Sequence, residues 1–386
     1  MRALLVAGAL LAASAGPARA AADGRRPLER FARDELLALA PLAAMAEVAC
    51  VESNPDGTMK QVTLLAWVPA SPAIVREVIA GADRYKEFIP NLTRSTREPL
   101  ADGRWRSVWK MELPVSSFDG TSVFEREGQG DDEAIVVRGD GDARYRYETL
   151  PVGQGTLLVQ YGYTDVKHSN AFTRSFVKRQ PMMEHGLALS AQLLFVTAMR
   201  AEAIRRAGAP KLSPPTASKP PSFNALLARG QVALLRTLGG TLGDVSVLER
   251  VYAGEARVAD VIARAPEYAA FVPGVDKSYR QGEGVYVEMA LPIVTWASTW
   301  ALRVTPHAID GAALDGDLRG ARVRWDLSAR GDAETLVVYR VRQKLDAGSL
   351  LLRKLFQFQP SLEYGINVAL GLVWTHAVRG RAEGWH

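Results

Sequence analysis

Val78-Ile79-Ala80-Gly81-Ala82-Asp83-Arg84-Tyr85-Lys86-Glu87-Phe88-Ile89-Pro90 recurs as Val261-Ile262-Ala263-Arg264-Ala265-Pro266-Glu267-Tyr268-Ala269-Ala270-Phe271-Val272-Pro273. Further on, Gln180-Pro181-Met182-Met183-Glu184-His185-Gly186 returns as Gln359-Pro360-Ser361-Leu362-Glu363-Tyr364-Gly365. From Thr156 and Thr335 onward the two stretches align without a gap to the end of a helix. Similarity that keeps its order implies two copies of one unit, and the function expected is that of the repeated unit.

The first 20 residues read as a secretory signal. Arg2 supplies the positive start, Ala3 to Ala15 an apolar run, and Ala18-Arg19-Ala20 the small-x-small cleavage pattern. That run is short of the roughly 20 apolar residues a spanning helix needs, and no later segment is expected to do better. The single cysteine, Cys50, excludes an intramolecular disulfide and a cysteine-based metal site. Formal charge is +5 and falls to +3 without Arg2 and Arg19, too little and too scattered for nucleic acid. Ala- and Arg-rich usage fits a bacterial chain from a GC-rich genome. A periplasmic or secreted location is expected.

Between the ends, residues 28–48 read as a helix, with Leu28, Phe31, Leu36, Leu37, Leu42 and Met45 at helical spacing. Asn54-Pro55-Asp56-Gly57 is a turn leading to a strand over Gln61 to Val68. Ser71-Pro72 opens a helix, and a shorter one holds Tyr85 and Phe88. Strands are predicted over Trp105 to Leu113, Thr121 to Glu127, Glu133 to Arg138, Arg144 to Leu150 and Thr156 to Tyr163. A long helix from Pro181 to about Arg206 ends the first copy, and the Pro-, Ser- and Lys-rich residues 208–222 form a linker. In the second copy a helix over Phe223 to Leu238 precedes a strand from Ser246 to Gly254 and a helix around Val258 to Ala263. Strands follow over Gly284 to Leu291, Thr295 to Val304, Ala321 to Ala329 and Thr335 to Gln343, then a closing helix from Pro360. The fold class expected is α+β: two domains, 28–207 and 223–386, each a curved antiparallel sheet around a long C-terminal helix. Such a sheet and helix leave an apolar gap wherever the facing residues fail to fill it.

The segment Ala82-Asp83-Arg84-Tyr85-Lys86-Glu87-Phe88-Ile89-Pro90 resembles the Tyr-Pro-Glu-Phe-Leu-Pro signature of coenzyme Q-binding and START-like proteins. These belong to the helix-grip superfamily that includes birch-pollen-allergen and polyketide-cyclase domains. Tyr268-Ala-Ala-Phe271-Val-Pro273 is similar and stands in the matching place. The resemblance covers most of both halves by element order and only these short pieces by motif. It implies one scaffold able to carry sterols, phospholipids, quinones or polyketides. Quinone-binding members continue with Trp-Cys, whereas this chain has Asn91-Leu92 and Gly274-Val275, so quinone is one ligand class among several.

Tyr85, Phe88, Tyr268 and Phe271 are expected either to pack as core or to roof a pocket. Met111 and Leu113 match Met289 and Leu291 on one strand face, and Trp109, Trp296, Trp300 and Trp325 add bulk to the strands. On the closing helices Leu187, Ala191 and Phe195 share a face with Glu184, as do Ile366, Leu370 and Trp374 with Glu363; they seal the sheet or line a cavity. His185 and its counterpart Tyr364 each offer a hydrogen-bond donor to a ligand oxygen. Glu184 and Glu363 are accounted for by their place in the first helical turn, or else face the pocket as buried carboxylates, the only repeated acid-base candidates for an enzyme.

Ahead of each closing helix, apolar and basic residues interleave: Phe172, Arg174, Phe176 and Lys178, then Leu351, Arg353, Lys354 and Phe356. This composition fits docking on an anionic bilayer, or burial against the other domain. The five histidines show no paired ligand spacing, and nothing resembles a nucleophile elbow, a P-loop or a dinucleotide-binding turn. No catalytic residue, metal or cofactor is expected.

These observations predict an exported protein that binds a hydrophobic lipid, of sterol, isoprenoid or quinone class, and carries it between membranes without bond chemistry. The alternatives are a polyketide aromatase/cyclase-like enzyme, or one ligand-binding domain beside one docking domain. The partners expected are a hydrophobic small molecule and, transiently, a membrane surface.

Overall fold

A computed structural model describes residues 27–54, 57–113, 116–140, 142–164, 183–209, 211–216, 222–238, 241–291, 294–342 and 360–385. Two short helices, α1 (Arg33–Ala38) and α2 (Ala40–Ala43), lead into a hairpin of β1 (Glu47–Ser53) and β2 (Met59–Val68). Helices α3 (Pro72–Ala80) and α4 (Tyr85–Phe88) follow, joined by a 3-10 turn at Ala82–Arg84. Seven strands come next: β3 (Leu92–Ser95), β4 (Glu98–Pro99), β5 (Trp105–Leu113), β6 (Ser116–Glu127), β7 (Ala134–Gly139), β8 (Arg144–Val152) and β9 (Gly155–Tyr163). The long helix α5 (Met183–Arg206) closes this half.

The second half holds α6 (Asn224–Arg229), β10 (Gln231–Leu238), β11 (Thr241–Val251), α7 (Glu255–Ala263) and a 3-10 helix at Ala265–Ala270. After these come β12 (Val275–Gln281), β13 (Gly284–Leu291), β14 (Val294–Thr305), β15 (Ala308–Ala313), β16 (Arg322–Ala329) and β17 (Thr335–Arg342). Helix α8 (Pro360–Glu383) ends the chain's regular structure. Residues 211–216 of the expected linker carry neither helix nor strand.

All pairings are antiparallel. In the first half β5 to β9 form a meander, and β9 pairs with β2, which pairs with β1. In the second, β12 to β17 form the meander, and β17 pairs with β11, which pairs with β10. The halves join where β1 meets β10, in the register Glu47↔Leu235 to Val51↔Gln231, so one 17-stranded sheet runs through both.

Both faces are covered at this seam. One face meets α5 and α8 through Ala49, Val51, Leu64, Ala66, Ala233, Leu235, Leu193 and Leu372. The other meets α1, α2 and α6 through Val48, Cys50, Leu65, Trp67, Val232, Leu36 and Leu226. Strands buried on both faces read as unbroken apolar runs, which hides their period of two.

That is why two expected helices are shorter than predicted. The helix over 28–48 is two short helices ending at Ala43, with Pro41 in the first turn of the second, and Glu47 already begins β1. The helix over Phe223 to Leu238 stops at Arg229, and Gln231–Leu238 is strand β10. Between them Gly230 crosses β1 so closely that a Cβ there would lie 2.1 Å from the Val51 carbonyl oxygen. Strands β3, β4, β12 and β15 were not predicted. Among the described residues one helix, Glu184–Arg206, is after all long and apolar enough to cross a membrane, but 65% of its apolar window is buried against the protein.

The repeated residues make repeated bonds. The Tyr85 hydroxyl donates to the Ile79 carbonyl and the Tyr268 hydroxyl to that of Ile262, each at 2.5 Å. Thr156 Oγ1 donates to Ala70 O at 2.6 Å and Thr335 Oγ1 to Ala253 O at 2.8 Å. Ser95 and Ser278 each donate to a carbonyl, of Asp83 and Pro266, and accept from an N–H, of Lys86 and Ala269. The Tyr-x-x-Phe segment is thereby fixed to the sheet in both halves.

Candidate functional site

Alternation along β13 and β14 points Val285, Val287 and Met289, and Trp296, Trp300 and Leu302, to one face. With Val323 and Trp325 of β16, Tyr339 of β17, Leu318, and Leu370 and Trp374 of α8, they line a cavity of about 60 Å³ roofed by Ala265 and Tyr268. Tyr268 meets Trp374 edge-on at 4.8 Å, and Trp325 packs on Tyr339 at 4.5 Å. Among the described residues, no Asp, Glu, His, Lys or Arg lines this cavity. The Tyr268 proton is committed to Ile262, and burial pushes the Tyr268 and Tyr339 phenols up from their usual pKa, so both stay neutral. Such a wall holds apolar matter by burial and dispersion.

Of the residues singled out in the sequence, Tyr268, Met289, Trp296, Trp300, Trp325, Leu370 and Trp374 line this cavity. Phe271 stands outside its lining, edge-on to Tyr268 at 5.8 Å, with the Arg381 guanidinium 5.7 Å from its ring centre. The side chains of Leu113, Leu291 and Tyr364 lie outside the described residues. So do Phe172, Arg174, Phe176, Lys178, Leu351, Arg353, Lys354 and Phe356, and the signal sequence.

In the first half, Tyr85 contacts Phe88, Phe124 and Phe195 edge-on, with ring centres 5.7, 6.3 and 6.4 Å away. Trp105 stacks on Phe124 at 5.5 Å, Met111 is buried further along the same strand in the same apolar core, and the Trp109 indole donates to Ser122 Oγ at 3.2 Å. Phe195 and Trp374 occupy matching helix positions, and both meet the motif tyrosine.

His185 belongs to the seam. It is fully buried, its Nε2 lies 3.0 Å from Ser53 Oγ, and the next residue, Gly186, packs on Ala369 of the other closing helix. Glu184 is buried next to it.

Several residues were missed or left unranked by the sequence reading. Arg200 and Arg379, at matching helix positions, donate to the buried carboxylates of Glu47 and Glu249 at 2.7 and 2.8 Å, fastening each closing helix to the sheet. Tyr147, Gln160 and Gln192 face the first-half interior, with Gln160 Nε2 donating to the Tyr147 hydroxyl at 2.9 Å. Their signal in the sequence is a lone amide in each of two apolar stretches, Leu157-Leu158-Val159-Gln160 and Ala191-Gln192-Leu193-Leu194.

No family model matches the chain, and no curated protein matches it. Among solved structures, a di-domain aromatase/cyclase of the steffimycin biosynthetic pathway is 11% identical, with 83% of this chain and 98% of that one covered, at a TM-score of 0.30. A START superfamily protein from Mycobacterium smegmatis is 16% identical over 37% of this chain and 99% of its own, at 0.27. A STAR-related lipid transfer protein from Xanthomonas axonopodis is 16% identical over 40% of this chain and 93% of its own, at 0.33. These are structures of the kind the sequence resemblance names, and at such TM-scores they carry no argument about ligand or activity.

Proposed function

We propose that this chain is an exported helix-grip protein that binds a hydrophobic small molecule, of lipid, sterol, isoprenoid or quinone class, and passes it between membranes without making or breaking a bond. The observation that carries this reading is the second-half cavity, walled by Trp296, Trp300, Trp325, Trp374, Tyr268 and Tyr339 and, among the described residues, lined by no charged group. At about 25 cal/mol per Å² of apolar area, a ligand buried there gains binding energy from contact alone. Sites for drug-sized ligands run to roughly 300–1,000 Å³. This cavity, at about 60 Å³, takes a whole lipid only after its indole side chains swing aside. In this reading the basic-apolar stretches around Phe172 to Lys178 and Leu351 to Phe356 dock the protein on an anionic bilayer.

A second reading, an aromatase/cyclase-like enzyme, draws support from the polar residues converging in the first half. It is the weaker of the two. Glutamine amides do not exchange protons usefully, and burial raises the Tyr147 phenol, so neither supplies a general base.

The test is native mass spectrometry of residues 21–386, purified from the periplasm without detergent and then extracted with organic solvent. A retained lipid is expected, and its mass gives the ligand class. An empty protein that also fails to take up cholesterol, ubiquinone and phosphatidylglycerol overturns the carrier reading and brings the enzyme forward.

A further inference from the structure

The interior of the first half carries a polar group that its own fold leaves unsatisfied. Gln192, on α5, is 1% exposed, and among the described residues neither its Nε2 nor its Oε1 has a hydrogen-bond partner. Gln160, on β9, is equally buried; its Nε2 is used by Tyr147, while its Oε1 has none. The two belong together. A Cβ on Gly162, two residues from Gln160 on the same strand face, would lie 2.3 Å from Gln192 Oε1. Across from these positions on β8 stand Tyr145 and Tyr147. Buried amides left without partners destabilise a fold, so three such atoms in one place point to a polar group that completes them.

The second half shows what a filled version looks like. There Gln160, Gly162 and Gln192 are matched by Tyr339, Val341 and Gly371, and Tyr147 by Trp325, the cross-strand neighbour of Tyr339. Tyr339 packs on Trp325, and Gly371 brings the helix so near that a Cβ there would lie 2.6 Å from Val247 Cγ2. The orphaned amides are replaced by rings and a close helix contact, so the two halves differ in chemistry at one corresponding place.

We propose that the first half holds a second site, which recognises a neutral hydroxyl group on an otherwise apolar molecule through Gln192 and Gln160. The inference rests on the reading that the chain binds hydrophobic ligands and adds which chemical group one of them carries. A hydroxyl accepts from Gln192 Nε2 and donates to the Oε1 of Gln160 or Gln192, whereas a ketone only accepts and leaves both oxygens unpaired. A carboxylate or phosphate finds no cation among Tyr145, Tyr147, Gln160 and Gln192.

Farnesol and farnesene, which share a hydrocarbon skeleton and differ in the hydroxyl, test this on the full mature chain by titration in native mass spectrometry. Wild type is expected to bind farnesol about tenfold more tightly than farnesene, as one or two satisfied buried hydrogen bonds imply. Gln192→Leu should abolish that preference and raise the melting temperature of the ligand-free protein. Gln160→Leu provides the same comparison if Gln192→Leu does not fold. Equal binding of both compounds to wild type, or a farnesol preference that survives both substitutions, overturns the hydroxyl site and leaves the carrier reading standing. So does a ligand-free crystal structure in which an ordered water satisfies Gln192 and Gln160 and farnesol does not displace it. Failure of wild type to bind either compound overturns the hydroxyl site, and the carrier reading then stands or falls with the uptake of cholesterol, ubiquinone and phosphatidylglycerol.

Discussion

Gly186 of the first closing helix packs directly on Ala369 of the second: a Cβ added to Gly186 would lie 2.1 Å from the Ala369 Cβ. Glycine here sets how near the two helices come, and through them how the halves meet on the sheet side facing the helices. Gly186→Leu places four carbons where none fit. Overpacking of this kind costs about 1–3 kcal/mol. Urea denaturation should show a lower midpoint, and an unchanged midpoint would mean that the helices separate freely.

Arg229 holds the opposite face of the seam. Its guanidinium donates to Glu52 at 2.8 Å and to the carbonyls of Glu29 and Arg30, and lies 3.8 Å from the centre of the Phe31 ring. Glu52 is 1% exposed, and its other partners are Gln61 and, at 3.5 Å, Lys60. Arg229→Ala strands a buried carboxylate with one distant cation and is expected to cost about 3 kcal/mol. Adding Glu52→Gln should restore part of that loss in the same unfolding assay; a double variant no better than the single would break the pairing argument.

Trp325 fills the floor of the second-half cavity against Tyr339 and is 3% exposed. Trp325→Ala should destabilise by about 3–5 kcal/mol while opening apolar space. Enlarged dry cavities take up small apolar probes. The variant should therefore bind benzene more tightly than wild type does, as calorimetry would register. No gain in benzene binding would show that the walls collapse into the space.

Burial raises the Glu249 carboxyl to about 6 from its ordinary 4.5, outweighing the Arg379 guanidinium beside it. A folded-state pKa above the unfolded one stabilises fully below 4.5, and that contribution is lost as the pH rises through about 6. Relative to Glu249→Gln, wild type should lose about 2 kcal/mol of unfolding free energy across this window. Paired denaturation curves at pH 4.5 and 7 measure the difference, and a constant offset would place the folded pKa near its ordinary value.

The repeat was legible because it is written in local chemistry. Tyr85 and Tyr268 hold the same carbonyl, six residues back, and Ser71 before Pro72 caps α3 as its type requires. The meander strands were readable where one face meets solvent and alternation survives. It failed at Val48 to Val51 and Val232 to Leu235, because strands covered on both faces lose the polar half of the pattern. The site was read in part. Tyr268, Met289, Trp300 and Trp374 meet in one cavity, whereas His185 sits at the seam on Ser53.

The sequence by itself determined most of the element order in each half, the recurrence of the Tyr-x-x-Phe segment, and the aromatic character of the second half. These depend on residues near one another along the chain or on side-chain type alone. Only the tertiary structure decided that β1 pairs with β10 to make one sheet, and that Gly186 meets Ala369. It alone leaves Gln160 and Gln192 buried without full partners while Tyr339, Trp325 and Gly371 fill the matching place. Which residues become neighbours across 100 or more positions, and which polar atoms that leaves unmatched, is set by packing both faces of a shared sheet, and no local pattern encodes it.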